Sequence, residues 1–312
     1  MPFRLKYYTS GILALVSMLF IMSSARGQGY YFYDNGHYEP SWVLDLSANM
    51  GIMNGITDIQ GSKNGKDGIS AFTVNSSRLT GGLTLTATHK DWVAFRLDLG
   101  IGRVEGYDSL LKGATHYNAV GRYERNLNFG TNIFEFFLGA ELHPVFFRDY
   151  QIYDRYMPRL SPYVTAGVGM TFFNPQALMD NKWIDLAPLR LEGQGFSEYP
   201  DRKPYKKNAF IIPVGLGLRY ELSRTVTLRL EGLRRLTSTD YLDDVMQGDW
   251  VDPSLFYKYL DPAQADLATQ LYNRSILINP PRNTRPRGHT DKRDVYWNAS
   301  FRIGISLNRE DR

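Results

Sequence analysis

Alternation of period two through Ala209–Arg235 is the feature that most limits how this chain can fold. Phe210, Ile212, Val214, Leu216, Leu218 and Tyr220 alternate with Ile211, Pro213, Gly215, Gly217, Arg219 and Glu221. After a break centred on Leu222-Ser223, Val226, Leu228 and Leu230 alternate with Thr227, Arg229 and Glu231. Successive side chains of an extended chain point to opposite faces, so each run has one apolar face and one of small and charged groups. The short break predicts an antiparallel hairpin. Each run matches the roughly 9–11 residues with which a tilted strand crosses a bilayer. The apolar face would point inward in a soluble barrel and outward in a membrane one.

Connection lengths decide between the two. Alternation recurs in Trp42–Met50, Leu79–Thr88, Trp92–Gly102, Thr131–Leu142, Ser161–Phe173 and Val295–Leu307, making eight strands with the hairpin. The connections run long, short, long, medium, long, short, long. A soluble lipocalin-type barrel has no reason to put its length at one end, whereas outer-membrane barrels join long extracellular loops with short periplasmic turns. The expected fold is therefore all-β, an eight-stranded antiparallel up-and-down transmembrane β-barrel over 42–307. Its long loops span about 51–77, 103–130, 174–208 and 236–294, and both termini are periplasmic. Trp42, Trp92 and Tyr220 fall at one set of strand ends and Phe172, Phe210 and Trp297 at the other, as interfacial aromatic girdles would. Within the last loop, Pro262–Tyr272 reads as a helix, with Ala263, Leu267 and Leu271 on one face.

The start of the chain reads as an export leader. Arg4 and Lys6 precede the short apolar run Ile12–Met22, and Ala25-Arg26-Gly27 offers small residues for cleavage. Residues 1–27 are then a signal peptide, 28–41 a periplasmic lead-in and 308–312 a C-terminal tail. The net charge of +4 falls to near zero without Arg4, Lys6 and Arg26, which removes any electrostatic case for nucleic acid. A mean hydropathy of -0.34 is too polar for a helical membrane protein, but half-apolar strands and polar loops average to such a value. With no cysteine, disulfides and thiolate metal sites are excluded.

The inward face carries Arg96, Asp98, Glu135, Glu141, Arg219, Glu221, Arg229, Glu231 and Arg302. In an interior that eight strands just fill with side chains, such groups persist only as hydrogen-bonded pairs. They are expected to form a charge-compensated plug; a proton relay or catalytic site is the alternative. None of His37, His89, His116, His143 and His289 stands in a readable strand beside a serine of the same face, so no Ser/His centre is expected. Asp240, Asp243, Asp244, Asp249 and Asp252 match no calcium-loop spacing and read as a solvated, turn-forming segment. Gly100-Ile101-Gly102 lacks the following helix of a nucleotide loop. The reading is of a non-enzymatic protein with no cofactor and no metal.

Several stretches resemble the PorG-like outer-membrane proteins of the type IX secretion system. They are Arg125-Asn126-Leu127-Asn128-Phe129 with Thr131-Asn132-Ile133-Phe134-Glu135, Pro162-Tyr163-Val164 with Ala166-Gly167-Val168-Gly169, and Phe173-Asn174-Pro175. Pro188–Gly195, Ile212–Gly217, Thr239–Val245, Arg287-Gly288 and Asp291-Lys292 extend the likeness over Trp42 to Leu307. The resemblance implies a structural part of the secretion and gliding machinery, set in outer-membrane lipid and touching a periplasmic ring of PorK- and PorN-like proteins. One departure is the end of the chain, Asn308–Arg312, where many such barrels finish on an aromatic residue. If the ring is met from the periplasm, the segment His143–Arg159 offers the contact residues: Phe146, Phe147, Arg148, Tyr150, Tyr153, Arg155 and Tyr156 are of the types that anchor interfaces. The other function class is a stand-alone small barrel for envelope stability or for surface ligand binding through its extracellular loops.

Overall fold

Ladder pairing turns the alternating segments into a closed cylinder. The computed structural model describes residues 41–63, 74–145, 147–148, 159–246, 250–277, 287–288 and 293–309, with Phe147, Arg148 and Arg159 described by their backbone alone. The strands are β1 (Trp42–Ile56), β2 (Arg78–His89), β3 (Val93–Tyr107), β4 (Asn128–Leu142), β5 (Phe147–Arg148), β6 (Arg159–Met179), β7 (Lys182–Asp185), β8 (Asn208–Glu221), β9 (Val226–Thr237) and β10 (Val295–Ser306). Eight of them follow the order β4-β3-β2-β1-β10-β9-β8-β6, each antiparallel to its neighbours, and β4 pairs back onto β6. Closure leaves these eight strands no free edge. The short β5 and β7 pair with the two ends of β6. No described helix is long and apolar enough to cross a membrane.

Burial along each strand gives the orientation of the faces. In β8, Phe210, Ile212, Val214, Leu216, Leu218 and Tyr220 are exposed, whereas Ile211, Arg219 and Glu221 are buried. The same holds around the cylinder, with Met50 70%, Leu79 75%, Val168 65% and Leu216 68% exposed. The outside is an apolar band and the inside is polar. The β6–β8 ladder steps from Ala166↔Val214 to Gly169↔Ile211, and the gap falls at Pro213, which has no N–H to give.

Several strands run further toward the long-loop end than alternation shows. β1 extends to Ile56, β3 to Tyr107, β6 to Met179 and β9 to Thr237, while β4 begins at Asn128. The physical reason is that the pattern fades where both faces are covered: Met53-Asn54, Val104–Gly106 and Phe129–Thr131 are buried at successive positions. The long loops are accordingly shorter than 51–77, 103–130, 174–208 and 236–294, and they carry regular structure of their own. Helices α1 (Tyr117–Arg125) and α2 (Ser254–Tyr259), which the sequence did not disclose, join α3 (Pro262–Tyr272).

These loops fold into a cap. Leu186, Leu189, Leu191 and Phe196 pack with Val251, Phe256, Ala265, Ala268, Leu271 and Tyr272 into one apolar cluster. Asp261 caps α3 by accepting from the Gln264 N–H at 3.0 Å, and Pro262 supplies the first turn. The buried face of α3 is Ala265, Ala268, Leu271 and Tyr272 rather than Ala263, Leu267 and Leu271. Small alanines bring the helix close to its neighbours, so the stripe shifts around the axis. A second cluster joins loop residues Ile59, Leu127, Leu242 and Val245 to Met53, Ile133, Phe173, Ile211 and Tyr296 of the strands. The upper interior is therefore apolar, and the loops close over it.

One position ties a glycine to this packing. A side chain on Gly217 would occupy the space of the Tyr163 ring. Gly217→Val should displace that ring and destabilise the barrel by about 1–3 kcal/mol, with Gly217→Ala falling between it and the parent. Thermal unfolding in micelles, followed by circular dichroism, should show the midpoint drop by several degrees for valine; an unchanged midpoint would mean the ring has room to move.

Candidate functional site: the barrel interior and its loop cap

Inward strand positions stack into layers. Nearest the short turns, Glu141 on β4 takes Arg229 Nη1 at 2.8 Å, and Arg229 Nη2 lies 3.4 Å from Asp45 Oδ2. Arg219 pairs with Glu221 at 2.9 Å, and Arg309 reaches Glu221 at 3.4 Å. In the middle, the Arg96 guanidinium donates to Asp98 at 2.7 Å, to Glu231 at 3.1 Å and to Glu141 at 3.2 Å. Arg302 Nη2 donates to Glu231 at 2.8 Å, and the Tyr163 hydroxyl donates to the same carboxylate at 2.7 Å. Higher up, Glu135 accepts from Arg235 and from the Tyr296 hydroxyl, both at 2.6 Å.

All nine inward charges expected from the sequence are buried here and linked into this network. It also holds Asp45, Arg235 and Arg309, with Tyr163 and Tyr296 as hydroxyl donors. The first two were legible, since Asp45 lies on the Val43/Ser47 face and Arg235 continues the spacing of Arg229, Glu231 and Leu233. With them, Arg96, Arg219, Arg229, Arg235, Arg302 and Arg309 match Asp45, Asp98, Glu135, Glu141, Glu221 and Glu231 one for one. Matching is what lets charge persist in a poorly hydrated interior. A cavity of about 20 Å³ remains beside Glu135, Arg235, Asn298 and Arg302, room for about one water molecule.

The histidine expectation is corrected. His143, one residue beyond β4, has Nδ1 3.0 Å from Ser161 Oγ and Nε2 3.3 Å from Glu141 Oε2. Cross-strand register, which no local pattern reveals, brings the start of β6 beside the end of β4. The nitrogen roles are reversed from a hydrolytic triad, in which Nε2 faces the serine. All three side chains are buried, and the imidazole packs on Tyr163 with ring centroids 5.1 Å apart. Burial holds the His143 imidazole below its usual pKa, assisted by Arg219 and Arg229 and opposed by Glu141. The arrangement ties the end of β4 to the start of β6.

At the other end, the loops carry a second set of charges. Asp108 accepts from Arg125 at 2.8 Å and from the N–H groups of Gln60 and Leu127 at 2.9 and 3.0 Å. Asp243 accepts from the N–H groups of Ile59 and Val245, each at 3.0 Å. Asp294 accepts from Leu242 N–H at 2.8 Å, and Arg287 donates to Glu192 at 2.8 Å. The Tyr205 hydroxyl donates to Asp244 at 2.5 Å. Four loops are thereby fastened together over the apolar upper interior. Asp240, Asp243 and Asp244 were read as a solvated turn; the structure buries all three, because loops distant in sequence converge on them. Asp249 lies outside the described residues, among which no group of three histidine or acidic side chains is placed to hold a metal.

Of the expected contact segment, Phe146, Tyr150, Tyr153, Arg155 and Tyr156 lie outside the described residues, as do the leader and most of the lead-in. For Phe147 and Arg148 the backbone pairs with Leu160 and Arg159.

The fold defines the class: an eight-stranded antiparallel barrel with a charge-filled interior, an apolar exterior and a loop cap. No family model matches the chain, and no curated protein matches it. Among solved structures, it is similar to a major outer membrane protein from Thermus thermophilus at 12% identity and a TM-score of 0.27, covering 83% of this chain and 99% of that one. It is also similar to the outer membrane protein AlkL, solved in DMPC lipid bilayers, at 12% identity and a TM-score of 0.24, covering 92% of this chain and 100% of that one. The barrel assignment rests on the closed ladder itself.

Arg96 touches more carboxylates than any other interior cation described above. Arg96→Met should strand Asp98, Glu141 and Glu231 and cost about 3–5 kcal/mol, while Arg96→Met with Glu231→Gln should cost less than the sum of the two single changes. Urea titrations of the lipid-refolded protein would measure both; additivity would show that the groups do not act as a unit.

Proposed function

We propose that the chain is an outer-membrane barrel that serves as a non-enzymatic part of the type IX protein secretion machinery. The observation that carries the membrane reading is the inverted burial: Leu46, Leu85, Phe95, Leu99, Ile212, Leu218, Phe301 and Ile303 are exposed around the cylinder while its charges are buried. An apolar belt of this extent faces lipid, because in water it would drive aggregation. A plugged interior excludes a solute pore, so the protein acts through its surfaces.

The secretion role is supported by the sequence resemblance along Trp42–Leu307. In that role the short-turn end faces the periplasm and meets a ring of PorK- and PorN-like proteins, with Phe147, Tyr150 and Arg155 of the connecting segment as contacts. In gliding organisms the same machine exports adhesins. No cofactor is required. A second reading, a stand-alone barrel that binds ligands at the cell surface, is favoured by the folded loop cap, which leaves Tyr117 and Tyr257 exposed.

Affinity purification from membranes should recover the ring proteins with the native chain, and alanine at Phe147, Tyr150 and Arg155 should abolish recovery while the barrel stays inserted. Deletion of the gene should block export. Normal export would favour the surface-binding reading, and an intact barrel in planar bilayers should pass no steady ionic current under either.

A further inference from the structure

Among the described residues, four aspartates of the cap differ from the carboxylates of the barrel interior in having no ion pair of their own. Asp243 and Asp244 are fully buried and Asp240 and Asp294 nearly so. They are faced by Asp58 from the β1–β2 loop, by Arg125 from the β3–β4 loop, by Glu192 and Tyr205 from the β6–β8 loop, and by Arg287 and Arg293 of their own loop. Arg125 is engaged by Asp108 and by the backbone carbonyls of Asp58 and Arg287; Arg287 is engaged by Glu192. Among the described residues that leaves the aspartates chiefly Arg293, which faces Asp240, and the already engaged Arg287, which faces Asp244. Independently of their crowding, Asp240 Oδ2 and Asp244 Oδ2 are buried without a hydrogen-bond partner. A bare carboxylate oxygen in such a site needs a proton or a metal ion, and among the described residues no group of three histidine or acidic side chains is placed to hold a metal.

We propose that Asp240, Asp243, Asp244 and Asp294 form a proton-held latch that keeps the loop cap shut over the barrel end and loosens as pH rises. The latch joins the β9–β10 loop to the β1–β2 loop through Asp243 and Ile59, and to the β6–β8 loop through Asp244 and Tyr205. Burial and the neighbouring carboxylates push Asp240 up to about 8, and burial first of all pushes Asp243 and Asp244 up to about 7; Asp294 moves the same way. The sign follows from linkage. A carboxyl that titrates near 4 in the open cap and near 7–8 in the closed one binds more protons when closed. Closure is strongest in acid, weakens as pH rises past about 4, and levels off once the closed-state groups have ionised. Opening would expose the apolar upper interior around Met53, Ile133 and Ile211.

The absence of native cysteine permits a direct test on the full chain in liposomes. Leu242→Cys places a thiol at a fully buried cap position, and Ala263→Cys provides an exposed reference on α3. The ratio of their labelling rates with a water-soluble maleimide cancels the intrinsic pH dependence of the thiol. Between pH 5 and pH 8.5 this ratio should rise about tenfold or more, since each pH unit in that range shifts a linked equilibrium by up to about tenfold per group. Asp240→Asn, Asp243→Asn and Asp244→Asn together, which mimic the protonated acids and leave only Asp294 to titrate, should hold the ratio low and sharply reduce its rise. A flat ratio in the parent, or an unchanged rise in the asparagine variant, would overturn the latch. Restored protection on adding 1 mM calcium at pH 8.5 would also overturn it, assigning the site to a divalent cation. Should the triple variant fail to fold, Asp240→Asn alone and the parent profile decide the matter.

Discussion

Charge matching inside a closed cylinder is the constraint on which the rest of this structure depends. An antiparallel ladder that closes on itself satisfies the strand backbones, which is what frees the outer face to be wholly apolar. It also confines whatever points inward to a space with little water. Arg96 answers this by spanning Asp98, Glu141 and Glu231 from one position, so a single guanidinium fixes three strands against one another. A slip of one residue in any ladder would send these groups into the outer band and bring leucines inward. Register, closure and ion pairing are therefore one condition.

The interior is divided by polarity along its axis. Ion pairs fill the region near the short turns and the middle, and an apolar layer that includes Met53, Val104, Ile133 and Leu242 fills the end under the cap. Tyr296 sits at the boundary, its hydroxyl on Glu135 and its ring in the apolar cluster. A filled cylinder of this kind resists deformation but offers no route through. The surfaces left to meet other molecules are the outer wall, the cap and the short-turn end.

Strand faces were legible because period two survives wherever one side meets a different medium from the other. Leu97, Asp98 and Leu99 reveal their directions by composition alone. The pattern failed where both sides are covered, as at Val104–Gly106, and it could not show the loop helices, whose short amphipathic stretches sit among polar residues. Nor could it show contacts set by register. His143 and Ser161 are adjacent only because β4 lies beside β6, and Asp243 meets Ile59 only because two loops cross above the barrel. Asp240, Asp243 and Asp244 of the last loop looked like solvated turn residues for the same reason: burial by distant loops leaves no local trace.

The two charged regions follow opposite rules, and the contrast says what each is for. In the barrel interior, six guanidiniums meet six carboxylates, the hydroxyls of Tyr163 and Tyr296 add donors to Glu231 and Glu135, and no proton need be exchanged for the network to stay neutral. Among the described residues of the cap, the four aspartates outnumber the cations left to them, and Asp240 Oδ2 and Asp244 Oδ2 are buried without a hydrogen-bond partner. A stabilising device would have matched them with cations. Retaining an unmatched set at the one place where separate loops converge makes cap cohesion depend on the protons around it, while the matched cylinder beneath is indifferent to them. A rigid anchor and a responsive cover can thus be built from the same side chains, distinguished only by whether the charges balance.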